Sequence, residues 1–213
     1  MTGRVAWLTL ALTACGRDIY LQDQEKVPPA EPPGEEQNTN GEPPDWNNCT
    51  QGWRGEYYNL AITDTWVDPR PQDDPAPTKP EGFPYWDGQH WENYDFTLDF
   101  GQNWWPVDDG LEDDPKYFAV HWDAWLRAWE GTNFSFLLGS QDDAWVYVNG
   151  DPIASQPGIK DFVRTSYEVY LDAGQYPIEI WFIHRGSDTS GFSFRPVDGN
   201  VSLCYPDFGT GGG

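Results

Sequence analysis

Asp142 and Asp143 stand side by side in the stretch GSQDDAWVYVNG, residues 139–150. Two neighbouring carboxylates aimed at one point repel each other unless a cation or a proton comes between them. The chain that holds them has 213 residues, 35 Asp and Glu against 12 Lys and Arg, and a formal charge of -23. One reading is a tight turn, whose backbone geometry Asp favours. The other is a cation site. Hard carboxylate oxygens suit Ca²⁺, which gathers six to eight oxygens from carboxylates, carbonyls and water. The spacing is not that of an EF-hand loop.

Other chemistry finds less support. The three His, at 90, 121 and 184, have no zinc-like spacing, and His184–Arg185 reads more simply as support for a following loop at 185–190. There is no Gly-x-Ser-x-Gly, Cys–His or zinc-hydrolase motif, and GTGGG at the C-terminal end lacks the Lys and helix of a phosphate loop. A glycosidase-like carboxylate pair would arise by chance among so many acids. The chain therefore does not read as an enzyme. Its acidity also argues against a nucleic-acid partner, because no basic surface is available to displace phosphate counterions. Thirteen Trp are far more than usual. Most read as core, with Trp125 and Trp129 on the outer face of their strand as candidates for stacking on a sugar ring.

The elements that would position these residues follow from composition. Residues 1–14, with Arg4 ahead of a short apolar run and LTAC before Cys15, read as a lipoprotein-type signal peptide with Cys15 as the lipidated residue. That run is too short for a membrane-spanning helix. Residues 15–48 carry eight acids against two bases and are rich in Pro and Glu, so they read as a disordered tether. From 49 to 206 aromatic and β-branched residues take over, enough for one buried domain. Residues 207–213 read as a flexible Gly-rich tail. Cys49 and Cys204 bracket the domain and, in an exported protein, are most simply a disulfide.

Inside the domain the apolar period is two. Strands are predicted at 118–125, 134–138, 144–148, 165–171, 176–184 and 191–197, with a short one near 153–155, separated by turn signals such as NGDP and DAGQ. This predicts an all-β fold, a two-sheet antiparallel β-sandwich of jelly-roll type. The stretch 62–117 gives no clear element. If successive strands run up and down, loops 139–143, 156–161 and 185–190 share one end, which would gather Asp142, Asp143, Asp161 and Asp188.

The motifs resemble a known family. GWRGEYYNL (52–60) and FSFLLGSQDDAWVYVNGDPI (134–153) are similar to the opening and central motifs of the protective-antigen-type ("PA-fourteen") domain, and DDAWVYVNG with FIHRGSDTSGFSF is closer still to its fibro-slime variant. The resemblance covers about 52–203 and is thin between 61 and 115. It implies a β-sandwich. In the family's lectin members an adjacent Asp pair, joined by a cis peptide, binds Ca²⁺, which in turn holds sugar hydroxyls. Carried over, this makes Asp142 and Asp143 calcium ligands, with Asp188 as the third and Arg185 beside them. The expectation is a surface-exposed, Ca²⁺-dependent, lectin-like adhesion domain that binds a carbohydrate or glycoconjugate. It would be exported and held at a bacterial membrane, the outer one by the residue after Cys15, through a lipid anchor alone. The alternative is a matrix or cell-surface assembly module that recognises another cell-surface protein, with calcium structural or absent.

Overall fold

The computed structural model describes residues 43–47, 49–60, 86, 90–106, 114–185 and 189–205. The signal peptide, Cys15, most of the tether, Asp188 and the Gly-rich tail lie outside them. The described residues form eleven strands: β1 (Trp53–Leu60), β2 (His90–Asp95), β3 (Leu98–Gln102), β4 (Asp114–Ala128), β5 (Thr132–Ser140), β6 (Asp143–Val148), β7 (Asp151–Gln156), β8 (Val163–Leu171), β9 (Gly174–Arg185), β10 (Gly191–Asp198) and β11 (Val201–Cys204). One sheet has the order β2-β1-β4-β9-β6-β7, with β11 also paired to β4; the other has the order β3-β10-β5-β8. Every pairing is antiparallel. The predicted β-sandwich is the observed one.

Alternation along the strands places the core between the sheets. Phe118, Val120, Trp122 and Leu126 of β4 face Phe136, Leu138, Phe192 and Phe194 from the opposing sheet, all at 2% exposure or less. Trp122 is tied down as well as packed. Its indole N–H donates to Asp95 Oδ2 at 2.9 Å, and the Tyr57 hydroxyl donates to the same oxygen. This satisfies a carboxylate that burial pushes above its ordinary pKa.

The larger sheet is covered on its outer face too. Tyr58, Leu60, Ala119, Trp145, Tyr147 and Ile183 form a second buried cluster, with Trp86, Tyr117 and Trp181 packed against it. All six residues of β6 are consequently buried, so after Asp143 the strand AWVYV is apolar at every position and not, as the predicted period of two has it, at every second one.

Each predicted strand falls inside an observed one. Four further strands, β1, β2, β3 and β11, carry no strand signal that sequence periodicity picked out. The Asn-Gly turn signal between β6 and β7 is a tight hairpin: Asn149 and Gly150 both have positive φ, 53° and 77°, as a type I′ turn requires.

The topology also explains how distant loops meet. β5 to β6, β7 to β8 and β9 to β10 each pass from one sheet to the other, and register places all three crossings at one end of the sandwich. The chain does not run simply up and down within one sheet, yet the expected convergence of loops holds.

At the opposite end of β4, Cys204 pairs in register with Trp125 and forms the expected disulfide with Cys49, 155 positions away. A Thr50–Tyr205 bridge lies beside it. The bond closes nearly the whole domain into one loop. A Cys49→Ser/Cys204→Ser double variant is therefore expected to lose about 2–5 kcal/mol, read as a lower urea midpoint, with a steeper slope of unfolding because the denatured chain, no longer closed into a loop, exposes more surface.

Candidate functional site

The end of the sandwich that carries the three crossings is built around Asp142 and Asp143, buried to 1% and 0% exposure. Ser140 ends β5 and Asp143 begins β6, so only Gln141 and Asp142 are available to turn the chain between sheets. The turn is made by Asp142 in the left-handed region, φ 66°, a conformation that costs most residues about 1–2 kcal/mol and that Asp tolerates better than most. No cis peptide bond occurs among the described residues. The Asp142–Asp143 link is thus trans, unlike the cis link that the motif resemblance implies; the left-handed residue makes the turn instead. The Ser140 hydroxyl lies 3.0 Å from the Asp142 carbonyl and 2.9 Å from Gln156 Oε1. Gln156 Nε2 donates in turn to the Leu138 carbonyl at 2.9 Å.

The 157–162 crossing folds over the acidic pair. Phe162 packs on Gly139 and Gly191, where an added Cβ would stand 2.7 Å from its ring at either position; two neighbouring strands need glycine there so that this ring can lie flat and hold the crossing down. The crossing then supplies donors. Gly158 N–H donates to Asp143 Oδ1 at 2.5 Å, and Lys160 N–H to Asp142 Oδ1 at 3.2 Å.

The Lys160 side chain turns inward. Its ammonium donates to the Asp142 carbonyl and to the Gln156 carbonyl at 2.7 Å, with the Gly158 carbonyl at 3.5 Å. Burial pulls its pKa down to about 8, against the opposing pull of Asp143 and Asp142, so it is still a cation at neutral pH.

The third crossing adds Arg185. Its backbone N–H donates to Asp142 Oδ2 at 2.8 Å, and its guanidinium Nη2 stands 2.5 Å from Asp143 Oδ2. His184 Nδ1 is 3.2 Å from Asp142 Oδ2. Gln141 Nε2 donates to Thr189 Oγ1 at 2.9 Å and Gln141 N–H to the Gly191 carbonyl at 2.9 Å, tying the first crossing to the third. Burial raises the Asp143 pKa above its usual range, opposed by Arg185, the Gly158 N–H and Lys160.

Of the expected site residues, Asp142, Asp143 and Arg185 come together; Asp188 lies outside the described residues. Trp125 and Trp129 do not join them. Asp143 pairs with Ile183 and Ile183 with Ala119; Trp125 lies six strand residues further along β4, roughly 20 Å away, and Trp129, just past Ala128 at the end of β4, lies beyond roughly 30 Å. Trp125 is buried on the outer face of β4, at 5% exposure, where it lines a small pocket with Arg54, His121, Asp123 and Glu179, away from the acidic pair. Its strand partner there is Cys204, whose disulfide to Cys49 brings a second segment across that part of the sheet. Trp129 is exposed, with the Arg127 guanidinium 3.7 Å over its ring.

Residues at the acidic end that sequence reasoning missed are Lys160, Gln156, Gly158 and Trp105, whose ring packs edge-on to His184 at 5.2 Å. The only hint was the lone Lys160 in the loop already assigned to this end. Elsewhere, on the outer face, the ligand atoms of Glu56, His90 and Glu92 lie within 4.8 Å of one another, but Glu56 is already engaged by Tyr58, His121 and Arg54.

No protein-family model and no curated protein matches the sequence. Among solved structures, the chain is similar to the Epithelial Adhesin 9 A domain from Candida glabrata, in complex with Galb1-4GlcNAc, with a TM-score of 0.54 and 12% identity over 88% of this chain and 99% of that one. It is also similar to a subtype-switched form of that adhesin domain in complex with beta-lactose, with a TM-score of 0.51 and 12% identity over 78% and 93%. A weaker likeness, TM-score 0.49 and 16% identity over 82% and 90%, is to the PA14 domain of the MpAFP antifreeze protein. At such identities the likeness is one of fold, the same two-sheet fold that the motif resemblance implies.

The geometry makes the Asp143–Arg185 pair a coupled unit. Removing one partner of a buried ion pair strands the other charge. Arg185→Met is expected to destabilise the domain by about 3–5 kcal/mol, and Asp143→Asn in the same chain to recover part of that loss, giving a coupling of about 1–3 kcal/mol in a double-mutant cycle read by urea unfolding.

Proposed function

We propose that this domain is a lectin-like adhesion module that binds carbohydrate at the end of the sandwich where the three sheet crossings meet. The observation that carries the reading is the convergence of those crossings on a buried Asp pair whose turn is held in a left-handed conformation. Unusual backbone conformations over-determined by their surroundings concentrate at binding sites. The likeness in fold to adhesin A domains solved with glycans supports the same reading. The glycan would lie against the exposed edge of the crossings, where Pro157 and Asp161 are exposed and Ile159 partly so. The reading involves no catalysis.

Export fits the Cys49–Cys204 disulfide, since such bonds persist in oxidising compartments. Attachment through a lipid on Cys15, at the outside of a bacterial membrane, is the arrangement we favour. The Asp-Asp motif favours a calcium-dependent form of this reading, whereas the donors that surround the pair favour a metal-free one.

A second reading rests on β8, the edge of the smaller sheet. It presents Val163 and Tyr170 at 48% and 40% exposure, and an open edge with apolar side chains suits recognition of another protein or assembly with further copies.

A glycan array that includes β-galactosides separates the two. Wild type is expected to bind. Ile159→Lys/Asp161→Lys, which alters only exposed or half-exposed positions on the crossing, is expected to lose binding while keeping its thermal midpoint. Trp129→Ala, at the far end, is expected to bind as wild type does. A blank array for wild type, with concentration-dependent association in sedimentation, would remove the lectin reading and leave the assembly module.

A further inference from the structure

We infer that the ammonium group of Lys160, with the guanidinium of Arg185, stands in for a metal ion at the Asp142–Asp143 pair, so that this end of the domain is organised without calcium. The inference concerns the same end of the molecule as the glycan reading but does not depend on it.

The donor set decides the question. Each of the four carboxylate oxygens already faces a nitrogen: Asp142 Oδ1 the Lys160 N–H, Asp142 Oδ2 the Arg185 N–H, Asp143 Oδ1 the Gly158 N–H, and Asp143 Oδ2 the Arg185 guanidinium. The further oxygens a calcium ion would need at this place are the carbonyls of Asp142, Gln156 and Gly158. These are the three that surround Lys160 Nζ.

A calcium ion collects six to eight oxygens at about 2.3–2.6 Å. Here it would have to expel the ammonium from its three carbonyls, strip N–H donors from the carboxylates and sit close to the guanidinium. The charge count points the same way. The two carboxylates carry two negative charges and the Lys160 and Arg185 side chains two positive ones, so these four groups balance before His184, 3.2 Å from Asp142 Oδ2, is counted. An added divalent ion would leave the cluster with excess positive charge in a poorly solvated place. The residues therefore do not fit calcium while Lys160 is seated. They do form an oxygen cage of the right chemistry for a cation, and the chain fills that cage with its own.

The test uses the full chain, freed of metal, with calcium and terbium as probes. Thermal unfolding of the wild type is expected to give the same midpoint in calcium and in EGTA, and titrated terbium to give no sensitised luminescence, although Trp145 follows close after the pair. Lys160→Ser empties the cage while keeping its carbonyls and carboxylates. It is expected to unfold at a lower midpoint in EGTA, to regain much of the loss in calcium but not in magnesium, and to light terbium. Adding Asp143→Asn to that variant should abolish the terbium signal, which separates the cage from the acidic surface at large. A wild-type midpoint that rises saturably with calcium and falls back with EGTA would overturn the proposal, and so would a folded Lys160→Ser that takes up terbium no better than wild type. Should Lys160→Ser fail to fold, the wild-type arm decides alone, and Lys160→Arg, which keeps the charge, should remain indifferent to calcium. A blank glycan array with these metal results would remove only the glycan reading.

Discussion

Two adjacent carboxylates lie in the interior of this protein at essentially zero exposure, and their charge must be answered there. Burying an isolated carboxylate costs several kcal/mol even after the surroundings relax, more than a turn of this kind can recover by packing. The rest of the acidic end follows from that need. Three chain crossings meet over the pair: the first holds the carboxylates, and the other two bring the donors, Gly158 and Lys160 from the second and Arg185 from the third. Phe162 lies flat on Gly139 and Gly191 so that the second crossing can reach inward.

Much of this architecture is legible in the residues themselves. Apolar runs bounded by turn signals mark β4 to β10. Most of them alternate because the sandwich core demands large apolar side chains at every second position, with β6 apolar throughout because both its faces are covered. Asn149–Gly150 marks its hairpin because few other pairs accept positive φ twice in succession. What periodicity misses has physical causes. β2 reads HWENYD and leaves most of its residues exposed, so burial imposes no apolar alternation on it. β1 and β11 share one side of β4 end to end, and their pairing is a long-range property that local pattern does not encode. Trp125 sits on an outward-facing position, as alternation says, but outward does not mean exposed on a face where Trp46 reaches over to Gln175 and Arg127.

The acidic pair was visible from sequence as an anomaly, and its neighbour across space was not. Lys160 lies 17 positions beyond Asp143 in a loop of ordinary composition. Its role depends on which way a flexible side chain points, and that is decided by Phe162 and by the closeness of the 139–143 turn. The left-handed Asp142 is similar: a tight turn was foreseeable, but the residue that would bear the positive φ was not. The fold shared with adhesin domains at 12% identity fits this picture. A sandwich with crossings gathered at one end is a frame, and frames of this kind host different chemistry according to a few side chains in the loops.

The account stands or falls on what occupies the space between the two carboxylates and the Asp142, Gln156 and Gly158 carbonyls. The most direct measurement is an anomalous difference map from crystals of the wild-type protein grown in terbium. The account predicts no peak at that place, with Lys160 Nζ resting on the three carbonyls and Arg185 on Asp143. A strong peak there, bridging Asp142 and Asp143 with Lys160 swung out to solvent, would contradict it.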